Sequence, residues 1–152
     1  MQTLSAKTVE ITGADSVHAV ARILADEYSR KILASALSEP KSVEDLSKEN
    51  GIPLSTCYRR VHEMLKEGIV VVERIMISSD GKRYELFRSG FSSLTLRLEA
   101  NFLSIVGTVN EEVEDKVCSN IFAMKWNSAW ARERTPAQHV AHKSPEALYG
   151  LS

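Results

Sequence analysis

The stretch SVEDLSKENGIPLSTCYRRVHEMLKEGIVVVERIMISSDGKRYELFR, from Ser42 to Arg88, decides how this chain folds. Ser42 stands three residues before Asp45, the spacing of a capping box in which the hydroxyl takes a free N–H of the first turn and the carboxylate reaches back. Val43 and Leu46 share the buried face of the helix that follows, and Asn50-Gly51 ends it, because glycine enters the left-handed conformation of a tight reversal without a Cβ penalty. Pro53 favours a new helix start, its fixed φ and missing N–H costing nothing in a first turn, and Ser55 offers a further cap. Cys57, Val61, Met64 and Leu65 then recur at helical spacing and define an apolar face. The opposite face carries Ser55, Thr56, Tyr58, Arg59 and His62, with Arg60 towards its edge.

Gly68 closes that helix, and the β-branched run from Ile69 to Ile77 reads as a strand. Ser79-Asp80-Gly81-Lys82 is a hairpin signal, Asp-Gly tolerating the positive φ values of a primed turn, and Arg83 to Arg88 is the returning strand. Helix, tight turn, second helix and basic hairpin, in that order, are the parts of a winged helix-turn-helix, which lays its second helix in the DNA major groove with the hairpin beside it. Arginine can bond two acceptors on one guanine, and hydroxyls, helix N-termini and long cations meet phosphate. The expected DNA contacts are therefore Ser55, Thr56, Tyr58, Arg59, Arg60 and His62 on the recognition helix 53–67, and Lys82 and Arg83 at the tip of the wing 69–88.

Ile23 to Leu33, ILADEYSRKIL, resembles the opening helix of ArsR-type winged-helix repressors, particularly their archaeal relatives. Gly51 to Arg60, GIPLSTCYRR, is similar to that family's recognition segment, and Lys66-Glu67-Gly68-Ile69-Val70 to its helix-to-wing junction. The likeness covers residues 17 to 90 and implies a dimeric, sequence-specific DNA-binding transcription regulator. The family's metal-binding Cys-x-Cys pair is missing, since Ser42 to Glu49 holds no cysteine, and the helix after Asn110 offers no histidine. No metal and no cofactor are expected.

Composition sets limits on this reading. A chain of 152 residues with 43% hydrophobic content fits one domain with appendages and an ordinary core. A net charge of −1 excludes a protein that coats nucleic acid wholesale, so DNA affinity must come from a local surface and depend strongly on salt. Between Leu54 and Arg88 the cations Arg59, Arg60, Lys66, Arg74, Lys82, Arg83 and Arg88 face Glu63, Glu67, Glu73, Asp80 and Glu85. Two widely separated cysteines give neither a zinc spacing nor a disulfide framework. There is no apolar run of membrane-spanning length and no signal-peptide pattern, so a cytoplasmic protein without a membrane partner is expected. Catalytic signatures such as G-x-S-x-G, a P-loop or H-E-x-x-H are missing, which sets an enzyme aside.

Outward from the central stretch, Val9 and Ile11 suit a short strand in an N-terminal arm 1–15, and Asp15 or Ser16 can cap a helix carrying Val17, Val20 and Leu24. Asp26 can cap the next, whose Ile32, Leu33, Ala36 and Leu37 run until Pro40 forbids continuation. Residues 16–90 would form the winged-helix domain. Beyond Gly90, Leu94, Leu96, Leu98, Ala100 and Phe102 alternate with polar residues, and Ala100-Asn101 reads as the bend of a second hairpin returning over Phe102 to Val109. Asn110 caps a helix with Glu111, Glu112, Glu114 and Asp115 at its positive end. Val113, Val117, Ile121, Met124 and Trp126 mark the stripe expected to pair two copies, within a segment 91–134. Residues 135–152, with two prolines and few bulky apolar groups, read as a disordered tail.

The expectation is an α+β, mainly α fold: a winged helix-turn-helix with a hairpin wing, a second hairpin and a C-terminal dimerisation helix. Its expected work is regulation of transcription by a homodimer on double-stranded DNA, with an inverted-repeat operator. The alternative is a protein-interaction module of a transcription or chromatin assembly, since the fold serves both. Plainer readings stand beside the sharp ones: Arg59-Arg60 as a solvated helix face, Lys82-Arg83 as cations keeping a hairpin soluble, Tyr58 as packing, Cys57 and Cys118 as small apolar residues. Trp126 and Trp130 suit core or interface anchors, and His139 and His142 sit in a Pro-flanked tail poorly suited to holding a metal. Nothing in the sequence names an effector.

Overall fold

The structure is a computed structural model, and it describes residues 7–123. Four helices come first after a short strand: β1 (Thr8–Ile11), α1 (Ala14–Ala25), α2 (Glu27–Ser35), α3 (Val43–Asn50) and α4 (Leu54–Lys66). Four strands follow, β2 (Val70–Ile77), β3 (Arg83–Ser89), β4 (Phe91–Glu99) and β5 (Phe102–Val109), then a 3-10 turn (Glu111–Val113) and α5 (Glu114–Ala123). The fold is α+β, a winged helix-turn-helix followed by a second hairpin and a helix.

The helix boundaries follow from local chemistry. Asp26 caps α2 by accepting the Ser29 N–H at 2.8 Å, and Ser42 caps α3 by accepting the Asp45 N–H at 3.1 Å. Only that half of the capping box forms, because no return bond from the Asp45 carboxylate exists among the described residues. Gly51 stops α3 in the left-handed conformation, φ 64°, with its N–H on the Ser47 carbonyl. Ser47 also donates its hydroxyl to the Ile52 carbonyl at 2.6 Å, which closes the turn of the helix-turn-helix. Two expected caps do not form: α1 starts after Gly13 and α4 after Pro53, both without a side-chain cap.

Ile32, Leu46, Cys57, Val61, Met64 and Ile69 are fully buried and knit α2, α3, α4 and the wing base into one core. The wing is the antiparallel pair β2–β3, with Val70 opposite Ser89 at its base and Ile77 opposite Arg83 near its tip. Its connection differs from the expected two-residue primed turn. Ser78 and Lys82 close the loop through a 2.8 Å bond from the Ser78 N–H to the Lys82 carbonyl, leaving Ser79, Asp80 and Gly81 between them. Among those three only Gly81 has positive φ, 87°, so the looser connection demands one glycine and leaves Asp80 on the ordinary side. The Asp80 carboxylate accepts the Ser78 hydroxyl, which holds its pKa below the usual carboxylate range.

A register shift in β2 between Val72 and Arg74 makes Glu73 the extra residue of a bulge. Its carboxylate accepts from Arg88 Nη1 at 2.7 Å. Arg88 also donates to the carbonyls of Leu37 and Ser38, both at 2.9 Å, and approaches Glu112 at 3.3 Å. Arg88, one of the cations counted between Leu54 and Arg88 in the sequence, is a buried cross-link between wing, α2–α3 loop and 3-10 turn. Asn110 extends this network through its side-chain amide to the Ser89 carbonyl at 2.9 Å, while its side-chain oxygen caps the 3-10 turn.

The second sheet has the order β1-β5-β4. The N-terminal arm therefore pairs with β5, the returning strand of the second hairpin, Val9 opposite Gly107 and Ile11 opposite Ile105. Gly107 has no room for a side chain: a Cβ there would lie 2.8 Å from Phe91 Cδ1 and 3.0 Å from Leu94 Cδ2. The expected bend is present at Ala100-Asn101, with Ala100 at φ 54°.

The dimer stripe expected on α5 needs correction. Val113 and Val117 are only 3% and 0% exposed within a single chain, packed into its own core. They were assigned to an interface because a helical stripe reports the need for burial without naming the partner. Met124 and Trp126 lie outside the described residues, as do the Ile121 side chain, Trp130, His139, His142 and the rest of the tail.

Candidate nucleic-acid interface

Helix α4 presents Cys57, Val61 and Met64 to the core, which fixes the rotation of everything else it carries. Ser55, Tyr58, Arg59 and His62 lie exposed on its outer side, with Leu54 before them, and Thr56 is half-buried. Tyr58 and His62, one turn apart, hold their rings 6.3 Å apart at 18°. The uncapped start of α4 leaves first-turn N–H groups directed outward, where the helix dipole favours an anion.

The wing stands beside this face. An open groove of about 350 Å³ runs between them, lined by Val43, Glu44, Tyr58, His62, Ile75, Arg83, Tyr84, Glu85 and Phe87. Packing thus brings together three residues singled out from sequence, Tyr58, His62 and Arg83. Lys82 is exposed in the wing connection, and its backbone takes part in the loop closure. Among the described residues, the side chains of Arg59, Lys82 and Arg83 make no ion pair. Glu44 and Glu85 line the same groove, so its charge is mixed and the cations stand along its border.

Arg60 departs from the expectation. Its Nε and Nη2 donate to the two oxygens of Asp26 at 3.0 and 3.1 Å, and Nη1 approaches Glu63 at 3.6 Å. The guanidinium is turned away from the wing into a groove between α1 and α4 that also holds Arg22, Ser29 and Lys66. Partial burial pushes the Asp26 carboxyl up, but the Ser29 N–H and hydroxyl, together with Arg60, outweigh it and hold the group below its ordinary value. Arg60 is therefore a structural clamp on α4. Spacing along α4 placed it at the edge of the exposed face, but no local signal shows that an acid 34 residues earlier will meet it.

Cys57 has no route to reactivity in this setting. It is fully buried, its thiol 3.7 Å from the Val43 carbonyl, and burial with the nearby Glu44 charge pushes its pKa up. Two features were missed in the sequence: the half-exposed Ile75 and Tyr84 on the wing's inner side, and the exposed Leu96 and Leu98 on the second hairpin. The strand alternation that betrays such residues was read for burial only.

No described protein family and no curated protein matches the chain. Among solved structures it is similar to HlyU from Vibrio cholerae, at 15% identity over 72% of this chain and 92% of that one, TM-score 0.35. It is similar also to NolR from Sinorhizobium fredii, at 16% identity over 82% of this chain and 93% of that one, TM-score 0.36. A third is the homodimeric winged helix-turn-helix DNA-binding domain of Mb0332 from Mycobacterium bovis, at 18% identity over 88% of this chain and 85% of that one, TM-score 0.36. At these values the fold rests on the element order and packing already described. No helix among the described residues is long and apolar enough to cross a membrane.

Proposed function

We propose that the chain is a DNA-binding transcription regulator that acts as a homodimer, each α4 in the major groove of one half-site and each wing on the flanking backbone. The observation that carries this reading is that, among the described residues, Arg59 on the exposed face of α4 and Lys82 and Arg83 on the wing make no ion pair. A buried or neutralised guanidinium has nothing to offer a base edge, whereas an exposed one can bond two acceptors of guanine. Ser55, Thr56, Tyr58 and His62 flank Arg59 as further contacts, and the uncapped helix start suits a phosphate. With Arg60 and Arg88 engaged internally, few free cations remain, so few phosphates are contacted, affinity is modest and its dependence on salt is shallow.

Selection of bound fragments from a genomic DNA library tests the reading. Recovery of an inverted repeat supports it, and no enrichment over bulk DNA contradicts it. A second reading, a protein-interaction module, draws on Ile75 and Ile77, which stand 48% and 68% exposed on the wing beside Glu85. Such a module would give no enrichment in the selection.

A further inference from the structure

The β4–β5 hairpin extends beyond the core in which it is rooted. Leu94, Leu96 and Leu98 lie along one face of β4, opposite Gly107, Ile105 and Leu103. At the root Leu94 packs against the core, but exposure rises to 48% at Leu96 and 68% at Leu98. Because β4 ends the order β1-β5-β4, its outer side has no strand partner among the described residues. An open strand edge carrying exposed leucines invites pairing with another chain.

We propose that this edge is where two copies of the chain meet, aligned antiparallel along β4 about a two-fold axis at Leu98. The inference rests on the homodimer reading above and supplies its surface, Val113 and Val117 being consumed by their own subunit's core. Backbone phase and charge select the axis. The two-residue connection at Ala100-Asn101 makes Glu99 and Phe102 the hydrogen-bonded closing pair. Glu99 and Arg97 therefore direct their backbone groups towards β5, and Leu98 and Leu96 direct theirs to the open side. Leu98 can exchange both backbone bonds with its own copy.

With the axis at Leu98, Arg97 of each copy stands opposite Glu99 of the other, in a pair whose side chains approach closely. This is the reciprocity that an isologous interface requires. An axis at Arg97 would set two arginines face to face, and one at Leu96 would set Arg97 against Thr95 and lose both ion pairs. Arg97 is free to take the new partner. Within one chain it only approaches Glu10 at 3.6 Å and Glu99 at 3.9 Å, with half its side chain exposed. The edge joins the two three-stranded sheets into one and covers Leu98 with its counterpart.

Sedimentation velocity on the full chain, across a concentration series, tests the proposal with Leu98→Asp, Arg97→Glu, Glu99→Arg and the double reversal Arg97→Glu/Glu99→Arg. All three positions are exposed, and circular dichroism reports whether each variant stays folded. The wild type is expected to dimerise and each single variant to weaken dimerisation by at least about tenfold, through a buried charge or two like-charge pairs. The double reversal is expected to restore it. A wild type that stays monomeric overturns the homodimer reading itself. A dimer indifferent to all of these changes overturns this surface and leaves that reading standing, and weakening by the single reversals without rescue by the double overturns the register.

Discussion

Arg60 and Asp26, 34 residues apart, meet in a two-pronged ion pair with bonds of 3.0 and 3.1 Å. One carboxylate thus caps α2 and holds α4 at a fixed angle to it, so the orientation of Arg59 depends on a residue outside its own helix. Removing either partner should cost about 1 to 3 kcal/mol, the range for a charge-assisted bond combined with a lost cap. Urea denaturation of Arg60→Ala and Asp26→Ala checks this. A midpoint unchanged in both would show that the pair does not hold the helix.

The same carboxylate predicts a pH dependence. Its folded pKa lies below the ordinary value of 3.8, so the stabilisation is present above about pH 4 and is lost as pH falls through the folded value. Asp26→Asn should therefore be less stable than wild type at neutral pH, with the gap closing in acid. Thermal melts of both proteins from pH 7 down to pH 3 follow it, and a gap constant with pH would contradict the assignment.

Arg88 is expected to be the most sensitive cation for folding and unimportant for DNA contact. It is 5% exposed at the side chain and serves Glu73 and two backbone carbonyls. Arg88→Met leaves a largely buried carboxylate and two acceptors unpaired, and should cost about 3 to 5 kcal/mol. Chemical denaturation provides the number. A loss under about 1 kcal/mol would mean that water replaces the network freely.

How much of this was legible in the sequence depended on the range of the signal. The turn at Gly51, the cap at Asp26, the bend at Ala100-Asn101 and the strand at Val9 and Ile11 are all written within a few residues, and each stands where it was expected. Long-range partners were not legible. Periodicity told that Val113 and Val117 needed burial but not that β2 and Gly90 of their own chain supply it. The charge count between Leu54 and Arg88 included Arg88 because the Glu73 bulge and the waiting carbonyls of Leu37 and Ser38 leave no local mark. On α4 Ser55, Tyr58, Arg59 and His62 are exposed as read, Thr56 is half-buried, and at Arg60 an acid brought in by tertiary packing decides the outcome.

Two substitutions in the second sheet should act in opposite directions. Gly107→Ala forces a Cβ to within 2.8 Å of the Phe91 ring and should cost about 1 to 3 kcal/mol. Ala100→Gly relieves a non-glycine residue at φ 54° and should stabilise by about 1 kcal/mol. Paired thermal melts test both, and equal signs would contradict the described packing or the described turn.

The central claim is that Arg59 reads DNA while Arg60, its neighbour, only holds the helix. The most direct test is a fluorescence titration at fixed salt of wild type and Arg59→Ala on a fragment recovered by selection, with unfolding midpoints measured alongside. The account predicts an about 5-fold to 150-fold loss of affinity for Arg59→Ala, from about 1 to 3 kcal/mol of lost base recognition, at an unchanged midpoint. An Arg59→Ala protein that binds the fragment as tightly as wild type would contradict it.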